Sequence, residues 1–172
     1  MSDLIPELSF KDIEKGDSNS INILKEALSN HGFFSITNHG LSKDLIDCCY
    51  KCSKDFFDLD FETKNTYSSV GSKGARGYTP KGIETAVGEK IADQKEFWHH
   101  GPVVDDTYDD NIPKNINIKE VEDFNKHFDA LYIELHQIGT RVLKVIALSL
   151  GLDRDYFDNW VEKGNSLLRS IH

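Results

Sequence analysis

Apolar residues recur along this chain at helical spacing in three stretches, and strand-like runs separate them. Ile21, Leu24 and Leu28 step by three and four, which predicts a helix capped by Ser20, running to His31 and stopped by Gly32. Phe33-Phe34-Ser35-Ile36-Thr37 is rich in aromatic and β-branched residues and predicts a strand, ended by a turn at Asn38-His39-Gly40. Ser42 opens a second helix, whose apolar positions are Leu45, Cys49, Cys52, Phe56 and Leu59. The longest pattern, Val121, Phe124, Phe128, Leu131, Leu135, Ile138, Val142 and Val145, predicts a helix from Lys119 to Leu150 with Gly151 at its C-cap. At 1.5 Å per residue such a helix is about 45 Å long. A domain of this size cannot bury that length by itself, so the helix is expected to brace something larger. Tyr156, Phe157 and Trp160 predict a short helix over Asp155 to Glu162, and Ser166 to His172 reads as an extended, strand-like run.

Tyr67 to Gly82 is rich in glycine and almost free of aliphatic side chains, which predicts a long loop, and loops of that length are usually functional or disordered, so it is a place to look for a site. Residues 83 to 104 read as mixed, with short strands. The segment 105 to 118 carries four aspartates and Pro113 and reads as a solvated connection. The fold class expected from this order is α+β: a largely helical region with a long spine helix and a few strands.

The 172 residues amount to one domain, 1 to 172, by length. Lys and Arg number 20 against 29 Asp and Glu, a net charge of −9, which repels duplex nucleic acid and anionic membranes. No apolar run approaches the 18 or so residues of a membrane span, and the first residues lack the basic and apolar regions of a secretory signal. Cys48, Cys49 and Cys52 crowd within five positions and read as reduced thiols, which fits a cytoplasmic protein.

The candidate chemistry is thin. His127-Phe128-Asp129 matches the His-x-Asp half of a facial iron triad, but residues i and i+2 on a helix point about 200° apart and cannot chelate one ion. His136 lies beside the core stripe, Cys49-x-x-Cys52 lacks a second ligand pair and reads as core thiols, and His99-His100 lacks a third ligand. Gly71-x-x-Gly74-x-x-Gly77 is no nucleotide loop, and no nucleophile elbow is present. The glycine-rich loop does bring together Arg76, Tyr78, Lys81 and, just beyond, Glu84. Arginine clamps carboxylates and glutamate receives cations, so this group suits a zwitterionic or acidic small molecule, with a plain solvated loop as the alternative expectation.

The segments HGFFSITNHGL (31 to 41), FFDLDFETK (56 to 64), ARGYTPKGIETA (75 to 86), DQKEFWHHGP (93 to 102), IALSLGL (146 to 152) and NSLLRSIH (165 to 172) together resemble the isopenicillin N synthase-like family of Fe(II)/2-oxoglutarate-dependent oxygenases. The resemblance covers nearly the whole chain and corresponds to the N-terminal region that buttresses the family's double-stranded β-helix, a jelly roll. It implies that the complete protein uses Fe(II) and 2-oxoglutarate to oxidise a small molecule. The family's His-x-Asp and distant His, and its Arg-x-Ser pair, lie beyond the segment matched by LLRSIH, so no metal ligand, catalytic residue or bound cofactor is expected in this chain. By motif, the resemblance implies that Arg76, Tyr78 and Glu84 approach substrate and that Arg169 and His172 lie near the cosubstrate. A truncated, non-catalytic helical interaction domain is the alternative expectation.

Overall fold

The computed structural model describes residues 5–68, 75–85, 87–88 and 90–172. They form two compact units, one from the described residues of 1–41 with Glu134–Glu162, the other from those of 42–133 with Lys163–His172.

In the first unit, β1 (Glu7–Ser9) runs straight into α1 (Phe10–Glu14), and α2 (Ser18–Asn30) leads to β2 (Ser35–Thr37). β1 and β2 pair in parallel, Leu8 opposite Ile36. The cap of α2 is Asp17 rather than Ser20: Asp17 accepts from both the backbone N–H and the hydroxyl of Ser20, at 2.8 Å each. Asp17 satisfies a free N–H of the first turn, so the helix begins at Ser18, three residues earlier than the apolar pattern does. Gly32 ends it at φ +78°, donating to the Ala27 carbonyl. Leu8, Phe10, Ile13, Leu24 and Val145 form the core. Arg141 grips Glu14 through two hydrogen bonds and lies 4.6 Å over the Phe10 ring. Neither β1 nor α1 has enough residues to display a period.

In the second unit, α3 (Lys43–Phe57) starts at the expected cap, Ser42, whose hydroxyl accepts from Leu45 N–H. A helix not foreseen, α4 (Phe61–Asn65), follows and is capped by Asp60. β3 (Gly77–Thr79), β4 (Phe97–His100) and β5 (Leu168–Ile171) form an antiparallel sheet in that order, with Tyr78 opposite Trp98 and Trp98 opposite Ser170. The long loop expected from Tyr67 to Gly82 is therefore corrected. Tyr67 is buried and Gly77–Thr79 is a buried strand, because β4 supplies a partner that composition does not reveal. The 105 to 118 connection is solvated at its aspartates, where Asp105 and Asp109 make Asx turns, but Ile118 turns into the core.

The long helix is α5 (Phe124–Ser149), 26 residues and about 39 Å. It begins after Lys119 because Asp123 sits at φ +55°, a left-handed conformation that a right-handed helix cannot pass through. Asn125 then ties the preceding turn, accepting from Ile118 N–H and donating to the Ile116 carbonyl. At the other end Gly151 adopts φ +74°, and Leu152 N–H reaches back to the Ala147 carbonyl. Phe124, Phe128 and Tyr132 are buried in one unit, Val145 and Ala147 in the other. Leu135, at 39% exposure, joins neither core. Its place in the apolar stripe is thus corrected: the stripe holds where a core lies alongside, and Leu135 falls just past the change from one core to the other. The last helix, α6, is also shorter than expected, Asp158–Val161, since the residues before it form separate turns in which Tyr156 N–H donates to the Asp153 carbonyl and Asp158 N–H to the Asp155 carbonyl.

One buried charge joins three parts of the second unit. Glu96, 4% exposed, receives Lys64 Nζ from α4 at 2.9 Å and the Tyr78 hydroxyl from β3 at 2.5 Å on one oxygen, and His172 Nδ1 at 3.1 Å on the other. Lys64 also donates to the Phe57 carbonyl. Burial pushes the Glu96 carboxyl up, but the hydrogen bonds from Tyr78, Lys64 and His172 outweigh it and hold the group below the ordinary glutamate range.

Phe128→Ala is expected to destabilise the protein by about 3–5 kcal/mol, since it empties a buried site where Phe124 stacks at 4.3 Å. Leu135→Ala should stay below about 1 kcal/mol, and urea unfolding midpoints of the two variants decide the matter. Lys64→Met should cost about 3–5 kcal/mol by leaving Glu96 uncompensated, and adding Glu96→Gln should recover part of the loss. Because the folded carboxyl titrates below its unfolded value, its contribution is complete above about pH 4.5 and is lost as pH falls through the folded value. Stability measured from pH 7 to pH 3 should therefore fall less steeply in Glu96→Gln than in the parent chain.

Candidate functional site

Successive side chains on a strand alternate between faces, and the three-stranded sheet uses its two faces differently. Tyr78, Trp98 and Ser170 share the face packed on the helices. There Phe56 meets Tyr78, Trp98 and Phe124 at ring distances of 5.8, 5.1 and 5.8 Å. Thr79, Phe97, His99, Arg169 and Ile171 share the other face by the same register.

On that second face the Arg169 guanidinium lies 4.2 Å over the Phe97 ring, and its Nε donates to His99 Nε2 at 2.6 Å. Its Nη2 stands 3.7 Å from Glu84 Oε1. Glu84 reaches the sheet because backbone hydrogen bonds between Asp93 and Glu84 and between Gly82 and Asp93 double the connecting segment back on itself. Lys95 then bridges the segment, 3.4 Å from Glu84 and 2.7 Å from Asp93; the hydrogen bond with Asp93 is the chief cause that holds its ammonium above the ordinary lysine range. The result is a partly exposed arginine whose aromatic support and imidazole partner fix its plane, with a carboxylate alongside. Such a pair can orient a ligand bearing both an anionic and a cationic or hydroxyl group.

The residues that the motifs singled out are regrouped. Glu84 and Arg169, expected on different sides of a site, stand together. Tyr78 and His172 also come together, on Glu96, on the face turned toward the helices; the His172 ring stacks on Phe57 at 5.2 Å. Lys81 stands 4.0 Å from the same carboxylate. Arg76 is 1% exposed, not held in an open loop, with Nη2 donating to Asn165 Oδ1 at 2.6 Å. Its guanidinium lies where a side chain at Gly101 would be: a Cβ there would come within 2.0 Å of Arg76 Cζ. Burial draws the Arg76 guanidinium below the ordinary arginine range. Gly71 and Gly74 of the glycine motif lie outside the described residues.

His127 and Asp129 diverge as helical spacing requires. His127 Nδ1 lies 3.6 Å from Cys52 Sγ, whereas Asp129 Oδ1 lies 2.7 Å from His100 Nε2. They do not suit a shared iron ion, and among the described residues no three His, Cys, Asp or Glu side chains are grouped to hold a metal. Cys49 and Cys52 are core thiols, and burial raises Cys49 to about 12. His99 and His100, read in the sequence only as neighbours, serve opposite faces: His99 partners Arg169, and the buried His100 joins the partly exposed Asp129 and Asn115 in a network. Strand alternation was the available signal for that division. Nothing in the sequence marked Asn115, which accepts from Gly101 N–H and donates to the Gly101 carbonyl.

No described helix is long and apolar enough to cross a membrane. The family described as the N-terminal region of non-haem dioxygenases in morphine synthesis matches residues 5–127. Gibberellin 20 oxidase 2 of Arabidopsis thaliana is 27% identical, over 98% of this chain and 46% of its own length. The crystal structure of a 2OG-Fe(II) oxygenase family protein from Caulobacter crescentus is 35% identical, with a TM-score of 0.86, over 97% of this chain and 55% of that one. A Neurospora crassa protein crystallised with alpha-KG and thymine shares the fold at 21% identity and a TM-score of 0.80, over 99% of this chain and 56% of that one. The chain thus spans about half the length of the relatives it matches. Both its sequence and its fold assign it to the N-terminal domain of the isopenicillin N synthase-like 2OG-Fe(II) dioxygenases, the family to which this chain belongs.

Proposed function

We propose that this chain is the N-terminal half of a cytoplasmic Fe(II)/2-oxoglutarate-dependent oxygenase that acts on a small acidic or zwitterionic molecule. The complete enzyme would couple oxidative decarboxylation of 2-oxoglutarate to succinate and carbon dioxide with oxidation of that substrate. The observation that carries this reading is the match over 97% of this chain to only 55% of an oxygenase at a TM-score of 0.86. Residues 1 to 172 would form the domain that buttresses a jelly-roll barrel C-terminal to β5. His127 and Asp129 are unfit to share an iron ion, so the metal ligands would come from that barrel.

Within this half, the partly exposed side chains of Arg169 and Glu84 on one sheet face would meet a ligand. Arg169 would hold a carboxylate there, its plane fixed by Phe97 and His99. Glu84 would select a substrate by its complementary charge. Tyr78 and His172 would serve the site indirectly through Glu96, and Arg76 through Asn165 at the approach to β5.

The coding sequence is expected to continue in frame past His172 with Tyr-Pro and then His-x-Asp; a transcript with a stop codon in their place would overturn the reading. In the complete enzyme, Arg169→Ala should lower succinate formation at least tenfold both with and without the substrate. Glu84→Gln should raise the substrate concentration needed for half-maximal turnover about tenfold while leaving substrate-independent succinate formation within about twofold. Succinate measured with and without the substrate separates the two roles.

A further inference from the structure

Outside the sheet face just described, an open pocket of about 190 Å³ lies between α4 and the sheet, lined by Phe61, Lys64, Tyr78, Pro80, Lys81 and Glu96. Its floor is built from buried polar groups: Lys64, Tyr78 and Glu96 are 7%, 2% and 4% exposed. The Tyr78 hydroxyl is committed to Glu96, and Lys64 gives hydrogen bonds to Glu96 and to the Phe57 carbonyl. An ammonium carries three protons, so one on Lys64 remains uncommitted by these bonds.

Lys81 supplies a second cation at the rim. It is 4.0 Å from Glu96 Oε1, beyond hydrogen-bond length, and its side chain is 53% exposed. Two ammonium groups thus face one carboxylate, which leaves the pocket with one positive charge in excess on a chain whose net charge is −9. An anion is what this excess attracts, and the low-polarity wall strengthens the attraction relative to open water. Phe61, 54% exposed, and Pro80 provide that wall. The volume falls below the 300–1,000 Å³ of typical drug-sized sites, so the pocket suits a single ring rather than an extended molecule.

We propose that this pocket binds a small aromatic or alicyclic monocarboxylate, its carboxylate between Lys81 and Lys64 and its ring on Phe61 and Pro80, separately from the ligand held on the Arg169 face. The binding is independent of the oxygenase reading, since every residue it uses belongs to this chain.

Sodium benzoate is the probe, titrated into the full chain at constant ionic strength and followed by amide ¹H–¹⁵N shifts. Saturable shifts are expected at residues 61–64 and 78–81 and at Glu96. Lys81→Met, at an exposed position, should weaken binding at least fivefold, and Phe61→Ala at least threefold. Lys43→Met, on the exposed face of α3, should leave it unchanged. Acetate, which lacks the ring, should bind at least fivefold more weakly than benzoate, and benzylammonium should not compete. Shifts that fail to saturate, equal weakening by Lys43→Met and Lys81→Met, equal binding of acetate and benzoate, or competition by benzylammonium would each overturn the proposal.

Discussion

Glu96 carries a negative charge in a place with almost no access to water, and burying such a charge costs several kcal/mol unless neighbouring groups offset it. Lys64, Tyr78 and His172 do so, and they come from α4, β3 and the end of β5. The three segments are far apart in sequence, so the carboxylate acts as a test of the tertiary arrangement. A slip of one residue in β3 would turn the Tyr78 hydroxyl to the opposite face of the sheet. The backbone adds to the constraint at β5, where His172 and Glu96 exchange N–H···O bonds at 2.9 and 3.0 Å. Aromatic packing around Phe56, Trp98 and Phe124 provides more apolar burial, but it tolerates exchange of shape in a way that a buried ion does not.

Once register is fixed, the two faces of the sheet acquire separate tasks. The face with Trp98 is closed by α3 and α5, whereas the face with Phe97 carries Arg169, His99 and Glu84. A rigid strand with one face committed to packing holds the groups on its other face in order, since they inherit the order of the core beneath. Arg169 illustrates this. Its stem leaves β5, its plane rests on Phe97, and its Nε is used by His99, so few conformations remain open to it.

Local order was legible in the sequence where a single element carried its own signals. Ser42 as a cap, Gly32 and Gly151 as stops, and the apolar faces of α2, α3 and α5 are properties of neighbouring residues and can be read from them. The candidate site residues were named from the sequence as residue types without geometry. Arg76, Tyr78, Glu84, Arg169 and His172 all bond or pair within the second unit, yet their groupings differ from those the motifs implied, because motif order says nothing of which strand face a residue takes. Asn115 could not have been found, since it is defined by contacts with Gly101, Pro102 and Asp129.

By itself the sequence determined the α+β class, the long helix, the divergence of His127 and Asp129, and the family resemblance; each depends on short-range spacing or on the order of segments. Only the tertiary structure decided that Gly77–Thr79 is a strand, that Leu135 leaves the core, that Arg76 is buried against Gly101, and that Glu84 stands beside Arg169. These outcomes depend on a partner distant in the chain. A strand needs the hydrogen bonds of β4, and a leucine needs a surface to pack on. A buried charge or guanidinium needs a neighbour shaped to receive it, and local pattern carries no record of which distant residue that neighbour is.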